Sequence, residues 1–290
     1  MLDQAESLRR LVSREVEPVE KEKPVHKAKI ITVTSGKGGV GKSNFVVNLG
    51  IALQKQGKKV LIFDADIGMG NDDVLMGVYP KYTIFDVLRG KDIKDIVVEG
   101  AYGIKLLAGG SGINQVEDLQ PHERTLFLNK IESLTEFDYI LMDTGAGINR
   151  SVLAFIACSD ELVIITTPEP TSITDAYSLV KATDHFKLKE KAHLVVNKSF
   201  TKQEGEQTYA KFKRAVNRFL KVEMNYLGCI LDDKKLVMGV REQTPFVVSY
   251  PNSEASKSIE EIAGKFLGNY DTRKATGATG MFKKLFKIFS

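Results

Sequence analysis

One short stretch limits the folds open to this chain more than any other feature: the glycine turn "SGKGGVGKSN" at residues 35–44. The apolar, β-branched run "KIITVTS" (29–35) precedes it, and an amphipathic stretch ending at Gly57 follows. A strand delivered into a helix through such a loop implies an α/β architecture. Gly36 to Ser43, "GKGGVGKS", fits G-x-x-x-x-G-K-[ST], and strand, loop and helix all stand where that motif needs them, which an ordinary glycine turn before a helix would not require. The expected phosphate cradle is Gly36, Lys37, Gly38, Gly39, Val40, Gly41, Lys42, Ser43 and Asn44. Glycines let backbone N–H groups turn inward around an anion, and the helix N-terminus adds its positive dipole end. Lys42 is placed to neutralise β- and γ-phosphate oxygens, and the Ser43 hydroxyl to ligate Mg²⁺.

From residue 29 onward short β-branched runs alternate with amphipathic stretches, which predicts an α/β doubly wound, mostly parallel sheet with helices on both faces. Strands are expected at 29–35, 58–66, 103–109, 138–143, 161–167, 192–198 and 224–230. Tyr209, Phe212, Val216, Phe219 and Leu220 recur at helical spacing and are expected to lie against the sheet. No apolar run approaches the ~18 residues that span a bilayer. The start "MLDQAESLRR" carries acids and lacks the apolar core of a signal peptide, so a cytoplasmic location is expected. Cys158 and Cys229 read as core filler.

Two acidic segments add to the loop. Asp143 closes the apolar run "YILMD", at the strand end where open α/β sheets bind ligands. A role around Mg²⁺, direct or through water, follows for Asp143, and "FDADIG" offers Asp64 as a further metal residue and Asp66 to orient an attacking water. Phosphoryl transfer from ATP to water is the implied reaction.

"GKGGVGKS", "FDADIGMGN" and "LMDTGAGI" together resemble the deviant Walker-A ATPases of the MinD and ParA type, over about residues 29–267. The resemblance implies a P-loop ATPase that is monomeric with ADP and pairs into an ATP-sandwiched homodimer. It assigns Lys37 to the partner's phosphates across that dimer, which makes Lys37, Lys42 and Asp66 the catalytic set, and Asn197 in "VVNK" to adenine. An exposed loop lysine is the alternative for Lys37, although two amines five residues apart in a tight loop do not easily reach one phosphate tail from the same side. MinD-type sequences usually read I-P-E-D where this chain has Ile230, Leu231, Asp232 and Asp233.

The two ends choose among relatives. "MFKKLFKIFS" (281–290) puts Phe282, Leu285, Phe286 and Phe289 on one helical face and Lys283, Lys284 and Lys287 on the other, which suits an anionic membrane surface. The alternative is a last helix docked on the protein's own surface. At the other end "DQAESLR" is similar to the opening of FlhG-type flagellar-number regulators within the same family. That resemblance implies a helix at 1–12 that stimulates the FlhF GTPase through Gln4, Leu8 and Arg9, and a role with cytoplasmic ring components of the flagellar motor. The expected organisation is a partner helix at 1–12, a tether at 13–28, the ATPase domain at 29–268, a linker at 269–280 and the membrane helix at 281–290. On this reading the protein sits on the inner membrane face when ATP-bound.

Rivals are a division-site MinD and a DNA-segregating ParA. The formal charge of +4 resides in residues 271–290, leaving a neutral body that lacks the broad basic field of a nucleic-acid binder.

Overall fold

The computed structural model describes residues 27–66, 70–110, 119–269 and 275–289. Gln4, Leu8, Arg9, the 1–12 helix and most of the 13–28 tether lie outside the described residues.

The chain runs β1 (Lys29–Ser35), α1 (Lys42–Lys55), β2 (Val60–Ala65) and α2 (Asp72–Met76), then the short α3 (Ile93–Ile96), β3 (Val98–Glu99), β4 (Lys105–Ala108) and α4 (Pro121–Ile131). It continues with β5 (Tyr139–Ala146), α5 (Arg150–Cys158), β6 (Glu161–Thr166), α6 (Pro170–His185), β7 (Lys191–Ser199), α7 (Lys202–Phe219) and β8 (Glu223–Leu231). Four helices close it: α8 (Lys234–Arg241), α9 (Phe246–Ser249), α10 (Glu254–Asn269) and α11 (Gly277–Phe289). The eight strands form one sheet in the order β3-β4-β2-β5-β1-β6-β7-β8. Every pairing is parallel except β3 with β4.

All seven expected strands are present, six of them with ends shifted by one to three residues, and the antiparallel edge strand β3 is new. At two residues β3 is too short to leave a periodic signal.

Alternation along the strands sorts the core. Ile30, Leu61, Phe63, Ile140 and Met142 pack beneath α4, α5 and α11, while Ile31, Val33, Ile62 and Leu141 pack beneath α1 and α10. A third cluster joins α5, α6 and α7 to β6 and β7. In α7 Phe212 and Val216 face this core as expected, but Phe219 is 68% exposed. It is the helix's last residue, and Leu220 beyond it turns inward instead while Arg218 covers the Phe219 ring.

The ends depart most from expectation. Ala28 is buried in the core rather than part of a tether, and the last helix begins at Gly277, four residues ahead of Met281. Phe282, Leu285, Phe286 and Phe289, expected on a membrane face, are buried against the chain's own body. The Phe282 ring lies 5.7 Å from that of Phe63 and 5.0 Å from that of Phe127. Of the two placements open to this helix, the single chain in water adopts docking on its own surface, because a groove of aromatic side chains is available to take the apolar stripe. Lys283, Lys284 and Lys287 remain exposed on the outer face, as the pattern predicts.

Candidate nucleotide site

The site forms at the carboxyl ends of β1, β2 and β5. In the loop after β1, Gly39 (φ 76°) and Gly41 (φ 91°) occupy left-handed backbone conformations. At Gly36 a Cβ would stand 2.2 Å from the backbone of Asp175, so α6 presses directly on the loop and only glycine fits. Gly41 precedes α1 with no side-chain cap and no acidic residue follows in the first turn. The leading N–H groups of α1 therefore point to where an anion binds.

β7 buttresses the loop from behind. Asn197 Nδ2 donates to the Val40 carbonyl at 2.7 Å, and Lys198 Nζ donates to the Gly39 carbonyl at 2.9 Å. Asn197, expected at adenine, in this structure holds the phosphate loop. Lys198 had drawn no assignment from sequence, and its place directly after Asn197 in "VVNK" is the only signal it left.

Strand parity gathers the acids. Val60 and Ile62 share the α1 face, so Asp64 does too, and on β5 Tyr139, Leu141 and Asp143 follow the same rule. The register pairs Asp64 with Asp143 on adjacent strands. Lys42 reaches down to this layer: its Nζ lies 2.6 Å from Asp143 Oδ1, with both side chains nearly inaccessible to water. The Ser43 hydroxyl stands beside Asp143 and favours its ionised form. Burial, then the charge of Asp143, pushes the Asp64 carboxyl up to about 7. Asp143 is raised by burial as well, against the pull of Lys42 and Ser43.

Asp72, at the start of α2, joins them fully buried. Its backbone N–H faces Asp64, and its carboxyl is pushed well above the ordinary carboxylate range by burial and by Asp143 and Asp64. Asp72 draws no assignment from the sequence, and only the tertiary structure reveals it as buried.

Asp66 differs from these. It is partly exposed and lines a cleft of about 410 Å³ together with Gly38 to Asn44, Asn71 and Val240. Lys37 points elsewhere again, its Nζ 3.1 Å from Glu169 Oε2 and 3.0 Å from Thr171 Oγ1 at the start of α6. The structure thus brings Lys42, Ser43, Asp64, Asp66 and Asp143 together and holds Lys37 apart on the rim. Asp232 and Asp233 stand at the end of β8, where Asp233 caps α8 through the Lys235 N–H.

The donor set is all hard oxygen, a hydroxyl and carboxylates with two further buried carboxylate oxygens orphaned on Asp72, which fits Mg²⁺.

A glycine loop that cradles an anion at a helix start, at the centre of a parallel sheet and above a buried lysine–carboxylate pair, defines a P-loop nucleotide-binding protein. Comparison with known proteins agrees. The AAA domain family matches residues 28–196. The antiactivator FleN of Pseudomonas aeruginosa is 35% identical over 83% of this chain and 87% of its own length. The flagellum site-determining protein YlxH of Helicobacter pylori is 39% identical over 89% and 90%. The MinD of an Aquifex aeolicus MinC:MinD cell division complex superposes with a TM-score of 0.66 at 30% identity, covering 84% of this chain and 98% of that one. The chain belongs to the MinD/ParA family of P-loop ATPases, with the flagellar proteins FleN and YlxH among its relatives.

Proposed function

We propose that this chain is a Mg²⁺-dependent ATPase that works as a membrane-recruited, dimerising switch and controls flagellar number and placement. The observation that carries the reading is the buried Lys42–Asp143 pair under an open phosphate loop, on a chain 35–39% identical to FleN and YlxH. Lys42 exchanges Asp143 for phosphate oxygens as ATP enters, and Ser43 and Asp143 are released to hold the metal. When bound, Mg²⁺ supplies charge neutralisation on the β- and γ-phosphates. Asp66 orients the attacking water, since it alone of the acids described above lines the cleft. Lys37 leaves Glu169 to bind the phosphates of a second copy, so that ATP joins two chains and hydrolysis separates them.

Recruitment to the inner membrane face requires α11 to leave its groove. Re-exposing its large apolar side chains costs on the order of 10 kcal/mol, which insertion among acyl chains restores, while each exposed lysine adds about 1 kcal/mol near anionic headgroups. Two copies of α11 in a dimer act together, which couples ATP to membrane residence. Residues 1–12, through Gln4, Leu8 and Arg9, stimulate the FlhF GTPase, and ring components of the flagellar motor are the further partners. Deleting residues 1–12 should abolish GTPase stimulation while ATP hydrolysis and liposome flotation persist. Unchanged stimulation would leave a MinD-type division role as the better reading, which the likeness to the Aquifex aeolicus protein already favours second.

A further inference from the structure

Asp72 has no role in the scheme above. Its side chain is wholly inaccessible to water, and among the described residues neither carboxylate oxygen has a hydrogen-bond partner. It lies against Asp143 without a well-directed hydrogen bond, and close enough to feel Asp64 and Lys42. A buried, unpaired carboxylate is costly, and an apolar residue of similar size would be cheaper unless a cation visits the site.

Three carboxylates, Asp64, Asp72 and Asp143, share a single ammonium group, and Lys42 already spends it on Asp143. Once Lys42 turns to the phosphates, the layer holds three acids and no cation. Among the described residues no three His, Cys, Asp or Glu are arranged to ligate one ion directly. Magnesium commonly keeps several of its waters and takes only one or two carboxylates, so a third acid beneath it acts through water.

We infer that Asp72 is a third carboxylate of the magnesium site, accepting hydrogen bonds from metal-bound water beneath the nucleotide phosphates. The inference rests on the nucleotide reading of the loop. It makes Asp72 a positioning residue that ties the affinity for nucleotide to the presence of the metal: without Mg²⁺ its carboxyl has nothing to hold beneath the phosphates, and with Mg²⁺ it fixes the metal's water there.

The test compares the full chain with Asp72→Asn and Asp72→Leu, measuring the affinity for a fluorescent ATP analogue in EDTA and in Mg²⁺. In the parent, Mg²⁺ should tighten binding strongly. In both variants that gain should shrink about tenfold, while affinity in EDTA is equal or higher and the apo proteins melt at or above the parent temperature. A gain within twofold of the parent in either folded variant overturns the assignment, because a merely structural Asp72 would alter melting alone. Absence of binding by the parent in both conditions would instead overturn the nucleotide reading itself, and this inference with it.

Discussion

Five residues separate Lys37 from Lys42, yet the two side chains have nothing in common. Lys42 is buried on Asp143, whereas Lys37 is 40% exposed and rests on Glu169. An exposed pair of this kind is worth about 1 kcal/mol or less, so Lys37 is cheaply released. Lys37→Ala should therefore keep monomeric nucleotide binding and lose ATP-dependent dimers in light scattering. Dimers at parental levels would reject its role across the interface. Asp66→Ala should slow ATP hydrolysis by at least tenfold while dimers accumulate, since it touches the water and not the phosphates. Lys42, Ser43, Asp143 and Asp66 were legible in sequence because motif spacing and strand ends place them. Asp72 and Lys198 were not, because each acquires its surroundings from β5 or from the loop after β1, far away along the chain.

At the scale of elements, α11 shows where periodicity stops being informative. Its stripe was plain in the sequence, but the same stripe suits lipid or a protein groove, and the groove depends on Phe63, Phe127 and Phe155 meeting from three separate elements. The seven longer strands, by contrast, were legible to within three residues, since most carry an apolar run of their own, whereas the two-residue β3 was not. The docked helix is anchored at its start by Asp160, whose carboxylate accepts from the Ile30 N–H at 2.8 Å, the Thr276 N–H at 3.1 Å and the Thr276 hydroxyl. Hydrogen bonds to a charged group contribute about 1.5–3 kcal/mol each, so Asp160→Ala should loosen the latch. Liposome flotation without nucleotide should rise severalfold, and the apo protein should melt several degrees lower. Flotation equal to the parent would mean that the anchor does not limit release.

At the scale of the whole molecule, a part-buried lysine meets the last helix. Lys189 donates to the Ser159 carbonyl, and burial, then Lys284 on α11, pushes its amine from 10.5 down to about 8. Between those values the unfolded chain holds a proton that the folded chain lacks, so this residue makes stability rise with pH from about 8 to 10.5. Below about 8 the folded state carries the full penalty, about 3 kcal/mol. Urea unfolding at pH 7.5 and 9.5 should show a gain in the parent that is largely absent in Lys189→Met. A further consequence follows from the hydrogen bond of the Gly277 N–H to the Ala28 carbonyl, 3.1 Å long. The start of β1 thus lies beside the point from which the last helix sets out. Lys27 and Lys283 line one pocket, so a dye pair at positions 27 and 283 would work as a gauge, starting short and lengthening only when the helix departs.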